Sequence, residues 1–229
     1  MLKVNKVSKI FKGSFGAVNA LEEIDFSVNA GEITAVQGPS GSGKTTLLLT
    51  LGAMMSPSKG TVEIDGKNPY EIGYNERTKL RQDYIGFVFQ QFNLIPYLTV
   101  FENIIVPACS EYTKKQIYDR AEYLLDRFEI SNRAAHKPAE LSAGQQQRTA
   151  LARALINEPK IILADEPTGN LDSQNAKVVI EHLCSIAEAG AAVIIVTHDN
   201  AIDRFNIKSV ELKDGQITNF KNTFTHNAS

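Results

Sequence analysis

The segment Gly38-Pro39-Ser40-Gly41-Ser42-Gly43-Lys44-Thr45 restricts this chain more than any other feature. It follows the apolar run Ile33 to Val36 and opens the helix-like run Lys44 to Gly52. A strand, a loop of the form G-x-x-x-x-G-K-S/T and a helix together make a phosphate cradle. The glycines let successive backbone N–H groups converge on an anion, and the helix turns its positive end to the same anion. Lys44 reaches β- and γ-phosphates, and the Thr45 hydroxyl suits a magnesium ion. Gly38 to Gly43 with Lys44, Thr45 and Thr46 are therefore the expected nucleotide ligands. A flexible Gly/Ser loop with an incidental lysine would not need the flanking strand and helix.

Ile161-Ile162-Leu163-Ala164-Asp165-Glu166 supplies a second half. A buried strand delivers Asp165 at its carboxyl end, where ligands bind in open α/β sheets. Asp165 is suited to support Mg²⁺, and Glu166 to polarise a water attacking the γ-phosphate.

The rest of the chain reads as strands and helices in alternation, which argues a mainly parallel α/β sheet. Leu2, Val4, Val7 and Ile10 form a strand pattern with a slip in register, and Ile24, Phe26 and Val28 alternate before an Ala30-Gly31 turn. Strands are expected at Thr61 to Ile64 and Ile85 to Phe89, with a short polar helix at Asn75 to Gln82 between them. Helices are expected at Glu102 to Val106, Lys114 to Phe128 and Ala143 to Ile156. After the strand before Asp165 come a helix at Ser173 to Ala189, a strand at Val193 to Val196 and a hairpin from Ile207 to Phe220. The antiparallel N-terminal strands read as an added edge, and the polar tail from Lys221 to Ser229 as frayed.

Composition narrows the partners. The chain has 229 residues, 43% hydrophobic and 22% charged, enough for a core without a metal or disulfide staple. With 24 Lys+Arg against 26 Asp+Glu the net charge is −2, which argues against nucleic acid as the main partner. Cys109 and Cys184 are expected as buried thiols, in keeping with a reducing compartment. The longest apolar stretch, Ala189 to Val196, has eight residues, whereas a membrane span needs roughly 20. The N-terminus lacks the apolar core of a signal peptide. Work at a membrane would thus proceed from the aqueous side through another chain.

Leu141-Ser142-Ala143-Gly144-Gln145-Gln146-Gln147-Arg148 begins the helix at Ala143, with Ser142 as its N-cap, a second anion-binding helix start. With this segment the chain resembles the nucleotide-binding subunits of ABC transporters, from about Leu2 to Phe220. The resemblance implies that Ser142, Gly144 and Gln145 belong to the signature that completes the ATP site of an opposing subunit. It matches Gln90 to the Q-loop glutamine that contacts Mg²⁺, with Gln91 as the neighbouring alternative. It matches Asp172 to the D-loop that crosses the dimer interface, His198 to the switch histidine at the γ-phosphate, and Phe11 to the aromatic that stacks on adenine. By themselves, a histidine at a strand end is commonly structural and Phe11 would read as core. Ala143 departs from the family's first signature glycine, adding a methyl group where two subunits meet. Phe11 replaces the commoner tyrosine.

The stretches IGFVFQQFNLIPYLTVFENI, HKPAELSAGQQQR and ILADEPTGNLDS look like the lipoprotein-release, macrolide-export and antimicrobial-peptide-resistance branch; the branch's cell-division member is also similar. The resemblance implies a RecA-like P-loop NTPase α/β core at residues 1–91 and 157–229, with an antiparallel β part near the N-terminus. An inserted helical subdomain would occupy residues 92–156. It further implies a head-to-tail homodimer around two MgATP and an integral-membrane permease as partner, on the cytoplasmic face of the inner membrane. The other reading is a soluble mechanochemical relative acting on DNA. That class carries a long coiled coil, and no sustained heptad run occurs here. A nucleotide-binding regulator without turnover is disfavoured by Glu166.

Overall fold

The computed structural model describes residues 1–13, 16–198, 202, 204–205 and 207–221. The expected fraying beyond Lys221 falls on residues 222–229, outside the described residues.

Among the described residues, nine strands divide between two sheets. β1 (Leu2–Gly13), β2 (Gly16–Val28) and β4 (Lys59–Ile64) form an antiparallel sheet in the order β2-β1-β4. The slip expected in β1 is present: its register against β2 shifts between Val4 and Val7, Val7 and Lys9, and Lys9 and Ile10. Each shift re-aims the strand, so Val7 stays buried although it breaks strict alternation with Val4.

The second sheet contains β3 (Ile33–Gln37), β5 (Ile85–Val88), β6 (Ile161–Asp165), β7 (Ala192–Thr197), β8 (Lys208–Lys213) and β9 (Gln216–Lys221), in the order β5-β6-β7-β3-β8-β9. All pairings from β5 to β8 are parallel, and β8 and β9 form the expected antiparallel hairpin. The N-terminal strands are thus not an added edge of this sheet but a sheet of their own. Their apolar face, including Leu2, Val4, Leu21, Ile24 and Val62, packs against one side of the larger sheet, which a strand added at its edge could not cover.

The inner strands are apolar on both faces, as expected of parallel strands covered on either side. Period-two alternation sends their side chains to two different cores. Ile162 and Ala164 of β6, with Val193 and Ile195 of β7, join the core beneath the helices. Ile161, Leu163, Ile194 and Val196 face the other core, shared with the smaller sheet and with α1 (Lys44–Leu51).

α2 (Tyr74–Tyr84) precedes β5, and three helices lie between β5 and β6: α3 (Val100–Ile105), α4 (Lys114–Arg127) and α5 (Ala143–Ala154). α6 (Ser173–Glu188) joins β6 to β7. α3 starts two residues before the apolar pattern suggests because Thr99 and Glu102 form a capping box, satisfying orphan backbone donors at both ends of that turn. Both cysteines are free; Cys109 is buried, but Cys184 is only half-buried, which corrects the expectation of two buried thiols. No helix among the described residues is long and apolar enough to cross a membrane.

The consequence for function lies in the order β6-β7-β3. Three adjacent parallel strands end at one edge, so Gln37, Asp165 and Thr197 hand the chain to that edge side by side.

Candidate nucleotide site

The loop leaving β3 has a shape that only certain residues allow. A β-carbon on Gly38 would lie 2.1 Å from the Leu212 carbonyl oxygen, and one on Gly43 would lie 2.3 Å from that of Ala20. Gly43 also caps α1 in the left-handed region, at φ 101°. The loop is thus seated between the β8–β9 hairpin and β2, and Gly215 N–H donates to Ser42 O at 3.1 Å. Within it the Ser42 hydroxyl is buried with no hydrogen-bond partner among the described residues, in a place where unmet polar groups are costly.

Lys44 is 8% exposed and curls back into the loop, donating from Nζ to Gly38 O at 2.7 Å and to Pro39 O at 3.0 Å. Its ammonium stands 3.9 Å from Glu166 Oε1. The Thr45 hydroxyl on the next position donates to Asp165 Oδ1 at 3.5 Å, across 120 residues of sequence. Thr46 follows half-buried on α1, with its carbonyl accepting from Thr50 Oγ1.

Burial raises the Asp165 carboxyl above the usual aspartate value, opposed by the Thr45 hydrogen bond and reinforced by the negative charge of Glu166. A folded-state pKa above the unfolded one means that the charged carboxylate costs stability at neutral pH; this cost begins to shrink as pH falls through the folded pKa and is gone below the unfolded one. Asp165→Asn should therefore raise the thermal midpoint of the nucleotide-free protein at pH 7. The difference should close in acid, and stabilisation by MgATP should be lost. Differential scanning calorimetry at two pH values checks this, and a lower midpoint at pH 7 would contradict it.

Glu166 continues the chain past β6 in the left-handed region, at φ 45°, with its N–H donating to Val196 O at 2.9 Å. That bond to β7 turns the side chain toward His198. The His198 backbone N–H donates to Glu166 Oε2 at 3.2 Å, and its ring Nδ1 lies 2.9 Å from Oε1. Sequence reasoning placed the two residues at the same phosphate but not as a bonded pair. Glu166 is 9% exposed, so its carboxylate sits where a single water could be oriented.

Gln90 is exposed just past β5, and its Nε2 would lie 3.7 Å from a β-carbon on Gly169, in the loop that follows β6. Gln91, the alternative, gives its carbonyl to the Asn93 N–H. Asn170, which sequence reasoning did not single out, donates to Gln90 O at 2.9 Å.

The remaining expected residues form a separate group. Ser142 caps α5, accepting from Gln145 N–H at 3.3 Å, while its own N–H donates to Gln145 Oε1 at 3.0 Å. Ser142 and Ala143 are exposed, whereas Gly144 is buried against α6, where a β-carbon would lie 2.4 Å from Asn175 Oδ1. Asp172 caps α6 and accepts from the N–H groups of Gln174 and Asn175 and from Asn175 Nδ2. The bonds from Asn175 and Gln174 hold its carboxyl below the usual range. Asn175, bonded to Asp172, thus also packs closely against the start of α5, a contact with no local sequence signal. No hydrogen bond or ion pair among the described residues joins this group to the phosphate loop. Phe11 is 41% exposed, so it is not a core residue; Lys9 Nζ stands 5.3 Å from its ring centroid and donates to Ser56 O.

Comparison with known proteins agrees with this geometry. The family described as ABC transporter matches residues 21–169. The ABC transporter ATP-binding protein MJ0796 of Methanocaldococcus jannaschii is 43% identical over 223 residues, covering 95% of each chain. The lipoprotein-releasing system ATP-binding protein LolD of Aquifex aeolicus is 41% identical, covering 95% of this chain and 96% of that one. The macrolide export ATP-binding/permease protein MacB of Burkholderia pseudomallei is also 41% identical over 95% of this chain, which spans only 33% of its length. Among solved structures, the dimeric post-hydrolysis state of MJ0796 bound to ADP and Pi superposes with a TM-score of 0.90 at 40% identity, covering 98% of this chain and all of that one.

Proposed function

The chain belongs to the ABC transporter family of ATP-binding cassettes, and from that premise we propose that it hydrolyses ATP as a head-to-tail homodimer that drives a membrane permease. The observation that carries the catalytic part is the convergence of Lys44, Glu166 and His198 on one sheet edge beside the glycine loop.

On binding, the Lys44 ammonium exchanges two loop carbonyls for phosphate oxygens, and the loop N–H groups and the Ser42 hydroxyl face the same anion. Glu166 holds and polarises the attacking water, oriented through both oxygens by His198. Thr45, Asp165 and Gln90 are the groups that would hold Mg²⁺. One hydroxyl, one half-buried carboxylate and one amide leave its other positions to phosphate oxygens and water, as this ion prefers. When bound, the ion would supply positive charge to offset that of the phosphates. Phe11 offers its open face to adenine.

The dimer reading rests on the exposed start of α5, which has no bond to its own phosphate loop, and on the dimeric state of the MJ0796 structure. In a head-to-tail pair Ser142 serves the partner's nucleotide. The permease reading rests on LolD and on relatives that carry permease and ATP-binding parts in one chain. A groove of about 380 Å³ beside β5, lined by Met54, Phe87, Phe89, Val106 and Asn157, offers an apolar seat for it. In this reading residues 92–156 form the helical subdomain, and the chain sits peripherally on the cytoplasmic face.

Ser142→Arg tests the shared site. Monomers should bind ATP within about twofold of the original protein, because that serine lies outside their own cradle. Phosphate release should fall by at least about 10²-fold, the usual cost of losing an anion contact at a reacting phosphate. Loss of ATP binding by isolated monomers would place the whole site in one chain and overturn the head-to-tail arrangement.

A further inference from the structure

Two side chains from different elements hold the segment that leaves β5. Arg153, in the last turn of α5, donates from Nη2 to Phe92 O at 2.6 Å and from Nη1 to Asn93 O at 2.5 Å. From the other side, Asn170 holds Gln90 O. Phe92 and Asn93 both lie in the left-handed region, at φ 58° and 48°. A phenylalanine keeps that conformation only where its surroundings hold it. The local bonds, Phe92 N–H to Phe89 O and Asn93 N–H to Gln91 O, leave both of the residues' own carbonyls to Arg153.

An arginine is a costly choice at this position. It lines the apolar groove with Met54, Phe87, Phe89 and Val106, and burial pushes its guanidinium pKa down. It forms no ion pair among the described residues. Arg153 is half-buried; a charge drawn partly out of water is kept where it is hydrogen-bonded, and a planar fork matches two successive carbonyls in a way that a lysine's single ammonium does not.

We propose that Arg153 is a positioning residue for the ATPase reaction: its fork holds the turn at Phe92 and Asn93 and so sets where Gln90 stands at the metal side of the site. The proposal rests on the reading of Gln90 as a Mg²⁺ contact. Asn170 anchors the same backbone to the loop carrying Glu166, so the position of Gln90 depends on α5 and on that loop together.

The test measures binding of a fluorescent, slowly hydrolysed ATP analogue to the full chain, first in EDTA and then across a Mg²⁺ titration. Phosphate release is followed in parallel. Arg153→Met should raise the Mg²⁺ concentration for half-maximal binding about tenfold, in line with the loss of two charge-assisted bonds. Binding in EDTA should stay within about twofold. In a Gln90→Ala background the same change should add nothing, because Arg153 acts through Gln90. Arg153→Lys should fall between the two, and it carries the comparison if the methionine variant does not fold; no shift there counts against the proposal.

If Gln90→Ala shifts the titration and Arg153→Met does not, the proposal alone is overturned. It is overturned equally if Arg153→Met weakens binding in EDTA by the same factor in both backgrounds, since that marks a general structural role. If Gln90→Ala leaves the titration unchanged, the metal reading of Gln90 fails first and takes the proposal with it.

Discussion

Lys44→Ala should abolish measurable phosphate release and remove the rise in thermal midpoint that MgATP produces in the original protein. The ammonium is the one full positive charge in the segment Gly38 to Thr45, and it already rests on Gly38 O and Pro39 O, where phosphate oxygens would replace those carbonyls. Removing a preorganised charge from a water-poor site typically costs about 10²–10³-fold in rate, and here nucleotide affinity falls as well. The absent midpoint rise follows from linkage, because a ligand that no longer binds the folded state cannot stabilise it. The variant also takes the donor from the Gly38 carbonyl, whereas Pro39 O keeps the Ser42 N–H at 3.3 Å, so the nucleotide-free protein should lose about 1 kcal/mol. Calorimetry with and without MgATP separates the two effects. Undiminished turnover in this variant would remove the phosphate-cradle assignment altogether.

Glu166→Gln should slow hydrolysis by about 10²–10⁴-fold while leaving ATP binding intact or tighter. Glutamine keeps the shape of the side chain, and its amide oxygen can still accept from the His198 backbone N–H that Glu166 Oε2 now holds. What it lacks is the negative charge, which in the role proposed for Glu166 polarises the attacking water and would repel the γ-phosphate. ATP should then persist at both shared sites, and the variant should elute as a dimer on size-exclusion chromatography only when ATP is present. The original protein should return to monomer as it turns over. A monomer at saturating ATP, with hydrolysis shown to be absent, would count against the sandwich, whereas full turnover would overturn the role of Glu166.

The sequence placed the local parts of the candidate site where the structure has them. The phosphate loop declares itself because its chemistry is local: glycines, a lysine and a threonine at fixed spacing, between a strand and a helix. Asp165 was readable because apolar strands end where polarity begins, and Ser142 because a serine just before a helical run is a short-range capping signal, to which the structure adds the Gln145 side of a capping box. Helix starts were less legible. The Thr99 cap moved α3 earlier than its apolar spacing suggested.

What the residues settle alone is therefore local: the two periodicities that make strands and helices, the turns, the caps and the cradle itself. The order β6-β7-β3 is not local, because neighbouring strands are distant in the chain and nothing within either strand names its partner. That order brings Glu166 against His198 and Thr45 toward Asp165. The same holds for Asn175 under Gly144 and for Arg153 on the Phe92 and Asn93 carbonyls, where a side chain meets backbone from another element. Backbone carbonyls carry no residue identity, so bonds to them leave no trace in sequence. Only the packed chain decides which side chain reaches them.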